Sequence, residues 1–388
     1  MDAAKEALKK HREWQGKLET VNKMPIETAD DLSIAYTPGV AAPCLEIAKD
    51  PELSYVYTGR GHTIAVISDG SAVLGLGNIG PEAGMPVMEG KCVLFKALSG
   101  LDAVPLVLDT QDTDRLVDII AALAPSFGGI NLEDIAAPRC FEVEARLKEK
   151  LDIPVFHDDQ HGTAIVVASA LENALKLAGK ENPQIVINGA GSAGCAIARL
   201  LLDRGQKDVI LADRQGILEK DMDLTSGQRA LIDRLNPTGK TGSLKEALKG
   251  ADVLIGVSAG HIVDQDMIRS MNDKPIVFAM ANPIPEIEPE DAAAAGAFIV
   301  GTGRSDHPNQ INNVLAFPGI FKGALEAGAT EISDAMKQAA VSAISACVPA
   351  DELAPDHIIV SALTPGVADR VAEAVAAAAV ASGVTRHG

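Results

Sequence analysis

Only five of the 388 residues are cysteine, and Cys44, Cys92, Cys140, Cys195 and Cys347 stand far apart with no C-x-x-C pair. A disulfide framework is excluded, and the chain reads as a reduced, cytoplasmic protein. Long apolar runs are also missing. Met1 is followed by Asp2, Lys5 and Glu6 rather than an apolar leader, so no secretory signal is expected. The Ala-rich stretch from Val371 to Val384 carries Glu373 and ends in Ser382 and Gly383, which predicts a packed C-terminal helix instead of a membrane span. Positive charge is scarce: 34 Lys and Arg face 53 Asp and Glu, a net charge of −19. Such a surface repels nucleic acid and anionic lipid, so neither is expected as a partner. An anionic metabolite would need a local cationic or metal-lined site. Repeats and low-complexity tracts are absent from the sequence.

What is present is ordinary globular composition, 47% apolar and 22% charged, at a length that predicts two or three domains of roughly 100–200 residues each. From Pro183 onward, short apolar strands alternate with helical segments: Ile185–Ile187, Val209–Ala212, Val253–Val257, Ile276–Ala279 and Phe298–Val300. This pattern predicts a doubly wound parallel sheet. Upstream strands near Ile64–Ile67, Val104–Leu108, Ile130–Leu132 and Val155–Phe156 sit among more Gly, Pro and acid-rich turns, which predicts a separate α/β unit. The apolar helix expected to begin near Gly162 is the natural hinge. The chain therefore divides into 1–160 and 161–388, the second part carrying a Rossmann-type sheet and C-terminal helices.

Gly189-Ala190-Gly191-Ser192-Ala193-Gly194 follows one of these strands and opens an apolar helix. The first glycine permits a tight turn, the second lets backbone approach a pyrophosphate, and the third lets helix and strand pack closely. Asp213 ends the next strand, 19 residues past Gly194, where a carboxylate can accept from a ribose diol. NAD or NADP is the expected cofactor. Asp213 tilts the expectation toward NAD, although Arg214 beside it could pair with a 2′-phosphate. Gly75-Leu-Gly77-Asn78-Ile-Gly80 matches the same pattern, but Pro81, Gly84 and Pro86 follow at once. No long helix is expected there, so the loop is read as a structural turn or as lining for a substrate pocket.

Two strands end in paired acids, Glu133-Asp134 and Asp158-Asp159. At the carboxyl edge of one sheet they either cap the following helices or converge on a hard divalent cation, Mg²⁺ or Mn²⁺. His157 and His161 lack the single helical face that an H-E-x-x-H zinc site needs. Lys91, on a helix expected after the Gly75–Gly80 loop, is a surface lysine unless burial or a nearby cation makes it a base, and Tyr36 packs at a loop corner or points its hydroxyl into a cleft.

Taken together, Leu32-Ser-Ile-Ala-Tyr36-Thr-Pro-Gly-Val-Ala, the Ser68–Gly80 segment, Gly90-Lys91, Asn131-Leu-Glu133-Asp134, His157-Asp-Asp-Gln-His-Gly-Thr-Ala, the Gly189–Gly194 loop, Ala281-Asn282-Pro283 and Asn312-Asn313-Val-Leu-Ala-Phe-Pro-Gly resemble the malic enzyme family, in its short bacterial and archaeal type, from about Leu18 to Pro365. The resemblance implies oxidative decarboxylation of L-malate to pyruvate and CO₂ with reduction of NAD or NADP. It implies Tyr36 as general acid, Lys91 as general base, Asp158 hydrogen-bonded near the lysine, and Glu133, Asp134 and Asp159 as metal ligands. Asn282 and Asn313 would hold the substrate carboxylate and the nicotinamide side. Where the larger eukaryotic type carries a substrate-gripping arginine this chain has Ala72, so Asn78, Ser71 or backbone N–H groups are expected to take its place. A homodimer or larger oligomer is implied, with the N-terminal helix and the Tyr36 segment near the interface. Malolactic enzyme, and a catalytically silent NAD(P)-binding regulator on the same fold, are the alternatives.

Overall fold

The computed structural model describes residues 3–386; Met1, Asp2, His387 and Gly388 lie outside the described residues. The first sheet contains β1 (Thr63–Ser68), β2 (Asp102–Val107), β3 (Gly129–Leu132) and β4 (Val155–His157), all parallel in the order β2-β1-β3-β4. Alternate residues take opposite faces. Ala65, Ile67, Ile130, Leu132 and Val155 pack on Leu116, Ile120, Val143 and Leu147, while Ile64, Val66 and Phe156 turn toward Met88 and Phe95.

The second sheet holds β5 (Gln184–Asn188), β6 (Asp208–Asp213), β7 (Gly216–Ile217), β8 (Val253–Gly256), β9 (Ile276–Ala279) and β10 (Ile299–Thr302) in the order β10-β9-β8-β5-β6-β7. Its strands are parallel except for β7, a two-residue antiparallel edge that the sequence pattern did not signal. Strand order reverses between β5 and β8, and in such sheets ligands bind in the crevice outside that switch point. The architecture is α/β with a Rossmann-type second sheet.

Three expectations need correction. The helix read as a hinge, Asp158–Ala178, starts directly after β4 and is a buried spine: Ile165, Val166, Val167, Ala170, Leu171 and Ala174 are all in the core. A helix apolar on most of its circumference is buried rather than exposed as a hinge. A long helix also does begin at Pro81, running 19 residues to Ser99. Pro81 sits at the first helical positions, where a missing N–H costs nothing, and Pro86 is accommodated within the helix. The C-terminal helices, grouped with the second sheet from sequence, close on the first unit as well. Phe317 and Phe321 of helix Phe317–Glu326 meet Phe95 with ring centroids 4.7 and 5.5 Å apart.

The final helix is Val367–Ala381, with Val371, Ala372, Val375 and Ala379 buried. Among the described residues no helix is long and apolar enough to cross a membrane.

Candidate active site between the two sheets

A cavity of about 860 Å³ opens between the sheets, lined by residues of both. Glu133 and Asp134 follow β3, and Asp159 lies in the first turn of the helix that follows β4. Adjacent parallel strands therefore deliver the three carboxylates to one edge. One oxygen from each lies within 4.8 Å of the others. The capping alternative is not what the chain does: His157 is the N-cap of the following helix and makes no side-chain cap bond, and Pro138 makes none for the helix after β3. Instead Asp159 accepts the backbone N–H of Asp134 at 2.8 Å. Asp134 itself adopts a left-handed backbone, φ 54°. Burial lifts the Glu133 carboxyl above its ordinary range against the pull of Lys91, and Asp159 adds to the lift. Three crowded carboxylates with oxygen-only donors fit a hard divalent ion, which would relieve their repulsion.

Lys91, on helix Pro81–Ser99, is buried, its side chain 8% exposed. Its Nζ lies 2.8 Å from Glu133 and 2.6 Å from Asp158, and 4.2 Å above the Phe317 ring. Burial alone would depress its pKa, but the two carboxylates outweigh it and hold the ammonium above its usual range. Burial pushes Asp158 up to about 7 despite Lys91. Asn313 donates to the same Asp158 oxygen. Gly162 leaves room for this arrangement: a Cβ there would stand 1.8 Å from Asp158 Oδ1.

From the second sheet, Ser192, Ala193, Ser258, Asn282, Asn312 and Asn313 reach the cavity. The Gly189–Gly194 loop leaves β5, and helix Ser192–Asp203 starts within it. Gly189 has φ 110°, and a Cβ on Gly194 would stand 1.8 Å from the Gly189 carbonyl, so both glycines are fixed by packing. A Cβ on Gly191 would meet nothing within 4 Å. The space above Gly191 fits a pyrophosphate approaching the free N–H groups at the helix start. Asp213 ends β6 beside this loop and accepts the N–H of Arg214 at 2.8 Å; it does not line the cavity.

The structure thus gathers Lys91, Glu133, Asp134, Asp158, Asp159, Asn282, Asn313, Ser192 and Ala193 around one space. Besides Asp213, it does not bring three other expected residues there. Tyr36 caps a short helix, Ala29–Ala35, is 68% exposed, and stands outside the cavity lining. Ser71 is buried with its hydroxyl fully engaged: it donates to Asp69 and accepts from the Ala136 N–H at 2.9 Å and from Arg139 at 2.8 Å. Asn78 is exposed and pairs with Gln111 through both ends of its amide. Neither side chain is placed to bind substrate in Ala72's stead. His161 bonds Glu144 at 2.9 Å, an ordinary structural pairing. Sequence reasoning missed Ser258, although it lies just past the carboxyl end of β8 where a ligand is expected. It also missed Lys17, which sits in no motif.

Two family models match the chain: malic enzyme, N-terminal domain, over residues 15–148, and malic enzyme, NAD binding domain, over residues 160–381. The bifunctional malic/malolactic enzyme of Bacillus subtilis (strain 168) is 53% identical over all of this chain and 95% of its own length. The NAD-dependent malic enzyme of Geobacillus stearothermophilus is also 53% identical, over 96% of this chain and 78% of its own. Among solved structures, malic enzyme from Pyrococcus horikoshii superposes with a TM-score of 0.94 at 48% identity, covering 98% of this chain and 92% of that one.

Proposed function

The chain belongs to the malic enzyme family, whose reaction is the oxidative decarboxylation of L-malate to pyruvate and CO₂ with reduction of NAD⁺ or NADP⁺, and we propose that its residues divide that reaction as follows. Residues 1–160 supply the substrate and metal side, and 161–388 the dinucleotide side. Glu133, Asp134 and Asp159 would hold Mg²⁺ or Mn²⁺, and such an ion would supply Lewis-acid polarisation of the C2 oxygen and stabilise the charge left by departing CO₂. Gly189, Gly191, Ser192, Ala193 and Gly194 cradle the pyrophosphate, and Asn282 and Asn313 orient substrate and nicotinamide. Lys91 takes the C2 hydroxyl proton. To act as base it must first give its ammonium proton to solvent, which the loss of Glu133 as an anionic partner to a bound metal ion would favour, leaving a neutral amine. Asp158 and Asn313 fix the direction of its Nζ.

A proton must later reach C3, and Tyr36 is the donor. Its exposure, among the exposed Leu32, Ile34 and Leu45, supports a homodimer in which this face is covered and Tyr36 enters the cavity of the second copy. Asp213 favours NAD⁺, since its carboxylate can accept from ribose hydroxyls and would repel a 2′-phosphate. A reducing, cytoplasmic setting suits the five unpaired cysteines.

The observation that carries this reading is the meeting, at one cavity, of the carboxylate cluster, Lys91 with its buried partner Asp158, and Ser192 and Ala193 of the Gly-rich loop. The test is turnover with L-malate, Mn²⁺ and either coenzyme, following reduced coenzyme and pyruvate together. Lactate without net reduced coenzyme would make it malolactic. Asp159→Ala should abolish turnover with the circular dichroism spectrum unchanged, and activity persisting in excess EDTA would remove the metal from the scheme.

A further inference from the structure

The cavity gathers more negative charge than its obvious cation balances. Glu133, Asp134, Asp158 and Asp159 stand against Lys91. A divalent ion would still leave about one net negative charge, and malate enters as a dianion; at the low effective dielectric of such a site that imbalance opposes binding. Ala72 lines the cavity with a methyl group and offers no charge. Lys17 lines it too, entering from the turn after helix Ala3–Trp14.

Its position is set by the helix that carries Lys91. The Lys17 backbone N–H donates to Glu89 at 3.2 Å, and its Nζ donates to the Pro86 carbonyl at 2.6 Å. A Cβ on Gly90 would stand 3.7 Å from that Nζ, so the ammonium lies against the helix beside Lys91. Lys17 and Lys91 are the two lysines among the cavity's lining residues. Lys91 has both its carboxylates; among the described residues the Lys17 ammonium makes no ion pair, its one hydrogen bond going to a neutral carbonyl.

We propose that Lys17 grips the C1 carboxylate of the substrate, the charge role that Ala72 cannot fill. This rests on the malate reading above. The choice of C1 follows from the chemistry. The C4 carboxylate must leave as neutral CO₂, so a cation bound to it would stabilise the ground state more than the transition state and slow the reaction. The C1 carboxylate keeps its charge from malate to pyruvate, and a cation there binds substrate and product alike.

The experiment compares wild type with Lys17→Met and Lys17→Arg. Lys17→Met should raise KM for malate about 10- to 100-fold with kcat changed much less, the loss of one charge-assisted contact made equally in ground and transition states. Calorimetric titration of pyruvate into enzyme holding Mn²⁺ and NAD⁺ should show the same factor of weakening. Lys17→Arg should recover most of it, and thermal melting of both variants should match wild type because the lysine is only partly buried. A malate KM within about twofold of wild type in Lys17→Met overturns the proposal. So does weakened malate with unchanged pyruvate, which would put the cation on C4. A wild-type enzyme that does not oxidise malate at all is a separate result, and strikes the functional reading itself.

Discussion

Two loops in this chain carry the same Gly-x-Gly-x-x-Gly spacing, and they do different work. In Gly189–Gly194 a helix begins at Ser192, inside the motif, so its free N–H groups face the cavity beside a glycine with open space above it. In Gly75–Gly80 the helix begins at Pro81, after the motif; Gly75 serves close packing, and Gly77 and Gly80 supply positive φ. A Cβ on Gly75 would stand 2.3 Å from the Asn282 carbonyl and 2.8 Å from Pro283 Cδ, which means this loop is where the first unit touches the Asn282 segment of the second. What distinguishes the loops is the place where the helix starts relative to the glycines, and what occupies the space beside each one.

Substitutions at single glycines can break that distinction. The largest effect is expected at Gly194, where an alanine Cβ would meet the Gly189 carbonyl at 1.8 Å. The Gly189 backbone leaves little to give, so Gly194→Ala should lose coenzyme binding and several kcal/mol of stability together, seen as a lowered urea midpoint. A variant that melts like wild type would show the loop to be looser than its packing. Gly75→Ala is expected to act on chemistry instead. Parting the loop from Asn282 displaces a group that lines the cavity, and a misplacement of about 1 Å can cost about 10²-fold in rate. Measured kcat should fall by that order while coenzyme affinity in a fluorescence titration holds. If coenzyme affinity fell equally, the two loops would not be separable.

The same comparison shows how far the sequence could be read. Nine of the ten strands were marked by apolar runs between Gly, Pro and acidic turns, the exception being β7; β1 and β2, like the rest of the first sheet, differ from their expected ends by a residue or two. The carboxylate cluster was legible because strand ends in a parallel sheet must meet at one edge, so Glu133-Asp134 and Asp158-Asp159 were forced into proximity. Lys17 was not legible. Its role depends on a loop folding back onto Pro86 and Glu89, some seventy residues away, and no local pattern encodes that contact. Ser71 was misread for the same reason: its hydroxyl is consumed by Arg139 and Ala136, partners that only the tertiary fold supplies. The helix that carries Lys91 was expected, but its start at Pro81 was missed because proline was weighed as a breaker, although at a first turn it costs nothing.

Gly191→Ala sharpens the contrast from the other side. No protein atom lies within 4 Å of the added methyl, and Gly191 has an ordinary φ of −81°. The folded protein should therefore accept the change with its melting temperature unaltered. A bound pyrophosphate would not, and the coenzyme KM should rise about tenfold, equivalent to about 1.4 kcal/mol. An unchanged KM would mean that the dinucleotide does not pass over Gly191.

Gly77→Ala is the smallest expected change and the cleanest control. A Cβ on Gly77 also meets nothing within 4 Å, so by space alone it matches Gly191. The difference is its backbone: φ 74° and ψ −143° lie in a region that residues with a side chain rarely enter. The strain is not spread to a ligand, because the Val73 N–H bonds the Gly77 carbonyl at 3.0 Å and the residue itself is exposed. Alanine there should cost about 1 kcal/mol of stability, a shift of a few degrees in melting, with the KM values for coenzyme and malate both unchanged. The pair thus separates two reasons for a glycine that look the same in the sequence, room for a ligand at Gly191 and backbone conformation at Gly77. A tenfold rise in coenzyme KM for Gly77→Ala would give the Gly75–Gly80 loop a nucleotide contact and erase the distinction.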